Sequence, residues 1–331
     1  MATWIQRNRW SVTVFAVVLV AAYAFYFLNQ NRAVAMFTFA WAYAIPLVLA
    51  AMVGVIGERS GVVNIGIEGQ MLVAAFIAFF AAAYSGSLVV GVLAGIGSGL
   101  ILGGFLAWTT VRWQMDQIIA GVVLNIIAVG ITSFYITPGQ QLPSLMPRFE
   151  VPLLSQIPLI GPVFFKGMGV FAIAAILAAG LIHVGLFYSR WGLRTRAVGE
   201  YPSAADTAGI NVERLRIINV TLAGSLAGMA GAYLSMDGSS SFELNMTAGR
   251  GFLALAIMIF GAWRPLRAAA AALFFGFVSA IGNQLQAAGS AVPQQLLGTL
   301  PYVMTLVVLA VAAGKVRAPA AVGQPFVKGD K

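Results

Sequence analysis

Cysteine is absent from the sequence, which excludes disulfide frameworks and thiolate metal sites together. Histidine occurs once, as His183 within an apolar run. With no second imidazole, it reads as a hydrogen-bonded packing residue rather than a metal ligand. Charge is scarce: 9% of residues are Asp, Glu, Lys or Arg, where a soluble domain carries about a quarter. The carboxylates are scattered over connectors and segment ends, and no nucleophile–base pair stands out. A phosphate-cradling P-loop is missing as well. The only Gly-Lys pair, Gly314-Lys315, runs into Val316 and lacks the upstream glycine, so this chain cannot hydrolyse ATP by that route. Neither a metal nor a cofactor is expected in it, and it does not read as an enzyme.

What the sequence has in abundance is apolar residues: 60% of its 331 residues are hydrophobic and the mean hydropathy is +0.90. The chain reads as an all-α, polytopic protein of the cytoplasmic (inner) membrane. A span needs about 20 apolar residues, and ten candidates fit: Trp10–Leu28, 35–57, 64–83, 88–110, 117–137, 169–189, 217–236, 247–263, 268–286 and 296–313. Residues 1–313 then form one transmembrane domain. It carries an external loop at 138–168 and a cytoplasmic loop at 190–216, and residues 314–331 form an extended cytoplasmic tail. The net charge of +9 does not indicate nucleic acid, because the arginines sit in short connectors. Those assigned to the cytoplasm hold Arg7, Arg9, Arg59, Arg112, Arg190, Arg194, Arg196, Arg214, Arg216, Arg264, Arg267, Lys315, Arg317, Lys328 and Lys331. The other side holds only Arg32, Arg148, Lys166 and Arg250. This bias is that of cytoplasmic loops, and it places both termini inside.

Two polar stretches interrupt the apolar pattern. In GERSGVVNIGIEGQM, residues 57–71, the apolar run that follows, Met71–Ala83, cannot by itself cross a bilayer of ~30 Å. The helix must start near Asn64, a good N-cap residue, which draws Glu68 below the membrane surface, where a carboxylate must face protein or water. Gln70, two residues on, points elsewhere around the helix. Similarly, Asn245…Arg250-Gly251 precedes the short run Phe252–Trp263. Each stretch opens the second segment of a set of four, and the sets (35–137 and 217–313) have opposite orientation. Such an inverted repeat with interrupted segments marks a translocation pathway. The candidate pathway residues are therefore Asn64, Glu68, Asn245 and Arg250. The spacing places Glu68 and Arg250 near opposite membrane faces. In the cytoplasmic loop, Ser203…Asp206 reads as a capping box after Pro202, with Gly209 as the stop. This predicts a short helix whose small residues Ala204, Ala205 and Ala208 could accept a partner.

Four segments, ERSGVVNIGIEGQM, RTRAVGEYPSAADTAGI, GRGFLALAIMIFGAWRPLRAAAAALFFGF and APAAVGQPFVKG, resemble those of permease subunits of bacterial ABC importers for sugars, nucleosides and branched-chain amino acids. They are most like the purine-nucleoside branch, and the likeness runs over nearly the whole chain. The resemblance implies a second homologous permease, a cytoplasmic ABC ATPase that uses the ATP, an external substrate-binding lipoprotein and a nucleoside substrate. It places the ATPase-coupling helix on Ala197–Gly209, with Ala197, Gly199, Glu200, Ser203, Ala204, Ala205, Asp206 and Gly209 as its residues. Two alternatives remain open at this point: a permease for a simple sugar such as ribose, and a proton-coupled secondary transporter using Glu68.

Overall fold

The computed structural model describes residues 22–135, 140–142, 144–289, 292–312 and 317–327. Most of the first expected span, together with Arg7, Arg9, Lys315, Lys328 and Lys331, lies outside them. After a helical segment at 22–28, the helices are α1 (Gln30–Arg59), α2 (Ile67–Ser85), α3 (Leu88–Ala107, prolonged by a π turn over Trp108–Arg112), α4 (Gln117–Phe134) and α5 (Val170–Tyr188). Then come α6 (Arg190–Glu200), α7 (Pro202–Thr207), α8 (Val212–Ala232, with a π turn over Tyr233–Gly238), α9 (Arg250–Phe260), α10 (Pro265–Ala287), α11 (Gln294–Gly298) and α12 (Leu300–Ala312).

Seven of these helices are long and apolar enough to cross a membrane: α1 to α5, α8 and α10. The expected spans at 247–263 and 296–313 differ from that pattern. The first shortens to the 11 residues of α9, because left-handed residues Ala248 and Gly249 precede it and a tight turn at Ala262 and Trp263 ends it. The second is broken at Thr299, between α11 and α12. The 138–168 loop, expected on the outside, is not all helical or irregular either. Strands β1 (Arg148–Glu150) and β2 (Lys166–Gly169) pair antiparallel in it. Arg148 ties this ribbon to the end of α8 through an ion pair with the buried Asp237, at 2.7 Å.

In hydrocarbon the hydrophobic effect gives helices no reason to associate, so close packing of small residues must supply the attraction. The bundle follows this rule. Gly91, Gly95, Gly99 and Gly103 recur every fourth residue along one side of α3. Gly95, Gly99 and Gly103 meet Gly224 and Gly228 of α8, while Gly91 packs on Ala78 and Ala82 of α2. A Cβ on Gly99 would collide with the carbonyl oxygen of Gly224, and one on Gly228 with that of Gly95. Gly231 of α8 lies just as close to the Met71 carbonyl of α2. α8 thus nests between α2 and α3 with backbone against backbone. At 30 residues and about 1.5 Å per residue, α1 is about 45 Å long and forms the central post. Its residues from Ile45 to Ile56 are buried almost without interruption, against α8, α9 and α10.

The packing makes a direct prediction. Gly99→Val should force α3 from α8 and lower stability by about 1–3 kcal/mol or more, the usual cost of overpacking. Gly97→Val, where a Cβ meets nothing within 4 Å, should leave the thermal unfolding midpoint in detergent nearly unchanged. Equal midpoints for the two variants would refute the account.

Candidate translocation site and coupling surface

Between α1 and α2 the chain leaves the helical path for seven residues, and almost all of its polar groups are buried. Neighbouring side chains satisfy the exposed backbone. Gln117 of α4 accepts a hydrogen bond from the Val63 N–H at 2.7 Å. Asn125 of α4 accepts from the Gly69 N–H at 2.8 Å and donates to the Ile65 carbonyl at 3.1 Å. Asn125 thus substitutes for the helical bonds that a break in α2 forfeits. Close approach permits this: a Cβ on Gly121 would sit 2.8 Å from the Gly66 nitrogen. Asn64 is not the N-cap. That position belongs to Gly66, without a side-chain cap. Asn64 is only 1% exposed and instead donates to Gln70 Oε1 at 3.2 Å. The extra turn at 65–66 moves the helix start past its reach.

Glu68, 7% exposed, makes the central contact. Its Oε1 accepts the Gly249 N–H at 2.7 Å, and its Oε2 accepts the Gly251 N–H at 2.6 Å. The carboxylate therefore caps α9 from another helix, where unsatisfied N–H groups and the positive end of the helix dipole favour a negative charge. The two polar stretches meet, contrary to the expectation that Glu68 and Arg250 lie near opposite faces. Spacing alone assumed that each segment crosses fully. In fact α9 is about 16 Å long and begins level with the delayed start of α2. Arg250 does not pair with Glu68; it donates to the carbonyls of Met246 at 2.6 Å and Thr247 at 3.3 Å. The loop before α9 carries left-handed backbone at Asn245 (φ 53°) and Ala248 (φ 46°), conformations uncommon for residues with a Cβ. The Tyr302 hydroxyl donates to the Ala248 carbonyl and helps hold that loop.

Three cavities surround this junction. One of about 370 Å³ is lined by Glu68, Asn125, Asn245 and Phe252, among others. A second of about 470 Å³ is lined by Tyr43, Tyr233, Glu243, Asn245 and Arg250. A third of about 190 Å³ holds Tyr43, Arg250, Ser279, Asn283 and Tyr302. Asn245 faces the first two, and Arg250 the last two. The structure thus brings Glu68, Asn245 and Arg250 together around these cavities. Asn64 supports the same stretch from inside. Sequence reasoning missed Asn125, Tyr43 and Tyr302; Asn125 was legible as the one amide within the apolar run of α4.

At the C-terminal end of α1, Glu58 and Arg59 hold the turn after α9. The Trp263 indole N–H donates to Glu58 Oε2 at 2.6 Å, while Arg59 Nε donates to the Trp263 carbonyl at 3.0 Å. Residues 190–216 lie beside them. The expected single short helix is a pair, α6 and α7, broken at Tyr201. Ser189 caps α6 by accepting the Gly192 N–H at 3.1 Å. The expected capping box at Ser203 and Asp206 does not form: Tyr201 is the N-cap, with no side-chain bond, and Pro202 starts α7. Gly209 does end it, with φ +82°. Ala197, Gly199 and Glu200 belong to α6. Gly199 packs so closely that a Cβ would strike the Arg59 carbonyl oxygen. In α7, Ser203 and Ala204 face out, while Asp206 is half-buried. Ala205 instead packs inward with Val198 and Val212, so it cannot touch a partner. Tyr201, Ser203, Ala204, Thr207 and Ala208 form the outward face.

Residues 36–309 match the model of the branched-chain amino acid transport system / permease component family. The chain belongs to this family. The permease is 36% identical over 304 residues, 87% of this chain and 95% of the relative, to the guanosine ABC transporter permease protein NupQ of Bacillus subtilis. It is 38% identical over 300 residues, 86% and 94%, to the nucleoside ABC transporter permease protein NupC of Lactococcus lactis. A putative glucose ABC transporter permease protein, TsgC13 of Haloferax volcanii, is 33% identical over 292 residues, 81% and 88%.

Replacing Glu68 in the permease should unlock α9. Glu68→Ala leaves two N–H groups without an acceptor and should cost about 1–3 kcal/mol for each one left buried and unsatisfied. Glu68→Gln keeps one acceptor and should fall between Glu68→Ala and the native chain in thermal unfolding midpoint. A Glu68→Ala protein with native stability and native transport would show that the cap is dispensable.

Proposed function

We propose that this chain is the membrane-spanning subunit of an ABC importer that carries nucleosides, purine nucleosides among them, inward across the cytoplasmic membrane. The observation that carries this is its likeness, over most of both chains, to the guanosine and nucleoside permeases. The cavities beside the junction suit such a cargo. Tyr43, Tyr233 and Tyr302 offer ring faces for a base. Asn245, Asn283, Glu243 and Arg250 offer hydrogen-bonding groups for ribose and base edges. Asn64, Glu68, Asn245 and Arg250 form or support the pathway. Glu68 acts as the link between its two half-helices. The likeness to a putative glucose permease favours a second reading, in which a simple sugar is the cargo. Both oxygens of Glu68 are engaged by backbone N–H groups, which argues against a carboxylate shuttling protons.

The architecture we infer has ten spans and both termini in the cytoplasm. The seven long helices are joined by the first segment, by α9 and by the α11–α12 pair. The inverted repeat of 35–137 and 217–313 accounts for the meeting of the two interrupted segments. A second permease would cover the exposed apolar face of α4, where Ile118, Ile119, Val122 and Ile126 point outward. The ATPase, which uses the ATP, would dock on the outward face of α7 and the adjoining α6. The external lipoprotein would dock on the 138–168 loop, which exposes Leu145, Phe149, Leu153 and Leu154.

Two experiments test this. Proteoliposomes holding the permease with its ATPase and binding protein should take up guanosine on addition of ATP, and unlabelled glucose should not compete. Uptake driven by a proton gradient without ATP would overturn the proposal, and competition by glucose would favour the sugar reading. For the docking face, Ala204→Trp should weaken ATPase binding or uncouple hydrolysis from uptake while the permease still inserts. Ala205→Trp, which lies inside, should instead impair folding. Native coupling in the Ala204→Trp complex would remove α7 from the interface.

A further inference from the structure

The C-terminal tail was expected to be extended, yet residues 319–324 fold into turns and dock on the protein. Ala321 is buried. The Ala321 N–H donates to the Gly199 carbonyl of α6 at 2.9 Å, and the Ala320 N–H to Glu200 Oε2 at 3.1 Å. On its other side, the Gly323 N–H donates to the Gly61 carbonyl at 3.2 Å. Phe326 packs against the small cluster of Val198, Ala205 and Val212 that joins α6, α7 and α8. Arg216 of α8, 2% exposed, completes the arrangement. Its Nε donates to the Ser60 carbonyl at 3.0 Å and a terminal nitrogen donates to the Gln324 carbonyl at 2.8 Å. Gly61 has φ +90°, and a Cβ there would meet both the Arg216 guanidinium and the Ala321 carbonyl, so the site accepts only glycine.

We propose that residues 319–324, locked by Arg216, are a coupling clasp: they tie the helices that meet the ATPase to the polar stretch 60–68, and so to the Glu68 cap on α9. The inference rests on the importer reading above. The clasp touches α6 at Gly199 and Glu200, and the stretch at Gly61. From Gly61 the chain runs seven residues to Glu68, held on its far side by Gln117 and Asn125 of α4. A displacement of α6 is therefore passed to the start of α2 and to α9 through hydrogen-bonded backbone rather than through a loose connector. Arg216 is a positioning residue here. Its planar fork reaches two carbonyls on different segments at once, which an ammonium group cannot reproduce.

The test uses the full complex of permease, ATPase and binding protein in proteoliposomes. Four forms are compared: the native chain, a chain ending at Arg317, Arg216→Lys and Phe326→Ala. Complex assembly, ATP hydrolysis and nucleoside uptake are measured on each. Absence of ATP-driven uptake by the native complex would count against the importer reading itself. With native uptake in hand, the truncated chain and Arg216→Lys should assemble and hydrolyse ATP, while uptake per ATP falls about tenfold, a coupling loss of ordinary size. Phe326→Ala, which trims only the packing, should give a smaller fall in the same ratio. An unchanged ratio in the truncated chain would overturn the proposal. So would failure of the truncated chain to bind the ATPase while Arg216→Lys stays fully coupled, since the tail would then serve assembly alone.

Discussion

Inside hydrocarbon, a backbone N–H without an acceptor has no water to turn to. A helix that begins within the membrane layer therefore needs a partner for its first turn. In this permease the partner of α9 is a carboxylate on α2, and α2 begins late for the same reason that α9 is short. Each interrupted helix is tolerated because another element supplies what the break removes. Glu68 serves α9, Asn125 serves α2, and Gln117 serves the connecting chain. Take away this exchange of hydrogen bonds and neither half-helix could end where it does. The cavities lined by Asn245 and Arg250 would then have no walls.

The glycine seam between α3 and α8 serves the same junction at a distance. It brings the backbones of α2, α3 and α8 close enough that α8 becomes a rigid wall, with Gly231 against Met71 three residues beyond Glu68. At the N-terminal end of α8, Arg216 reaches across to the stretch that leads to Glu68. One helix thus contacts the polar stretch near its start and the segment just past its end. This fits a scaffold that holds a strained loop in place. The left-handed backbone of Asn245 and Ala248 is stable only where its surroundings over-determine it, and here Glu68, Tyr302 and the Arg250 bonds do so.

Much of this was legible in the sequence. Seven expected spans coincide with long helices to within a few residues, because apolar length is the strongest signal a membrane chain carries. The importance of Glu68 followed from one carboxylate beside a run too short to cross. What failed was depth. Arg250 was placed far from Glu68 because span counting treats every segment as a full crossing, and α9 is not one. The docked tail was hidden because Pro319, Gly323 and their neighbours look like a flexible composition. The signal that remained was a lone Phe326 and a turn-forming Gly323 in an otherwise plain segment. Ala205 was misjudged because a helix of one and a half turns has too few residues to reveal its buried side. The seam of α3 could have been read directly from its four glycines at intervals of four.

α1 is about 45 Å long and the hydrocarbon layer is about 30 Å thick, so tilt within the usual range of about 40° cannot hide all of it. Some part of it must stand clear of the bilayer, and the first turn carries the exposed Gln30, Asn31 and Arg32. Ala33 and Trp41 meet Val163 and Phe164 of the 138–168 loop towards this end. A thicker or thinner membrane would slide along this post and leave the junction undisturbed. Hydrophobic mismatch would then fall on the N-terminal end of α1 rather than on the half-helices that Glu68 holds together.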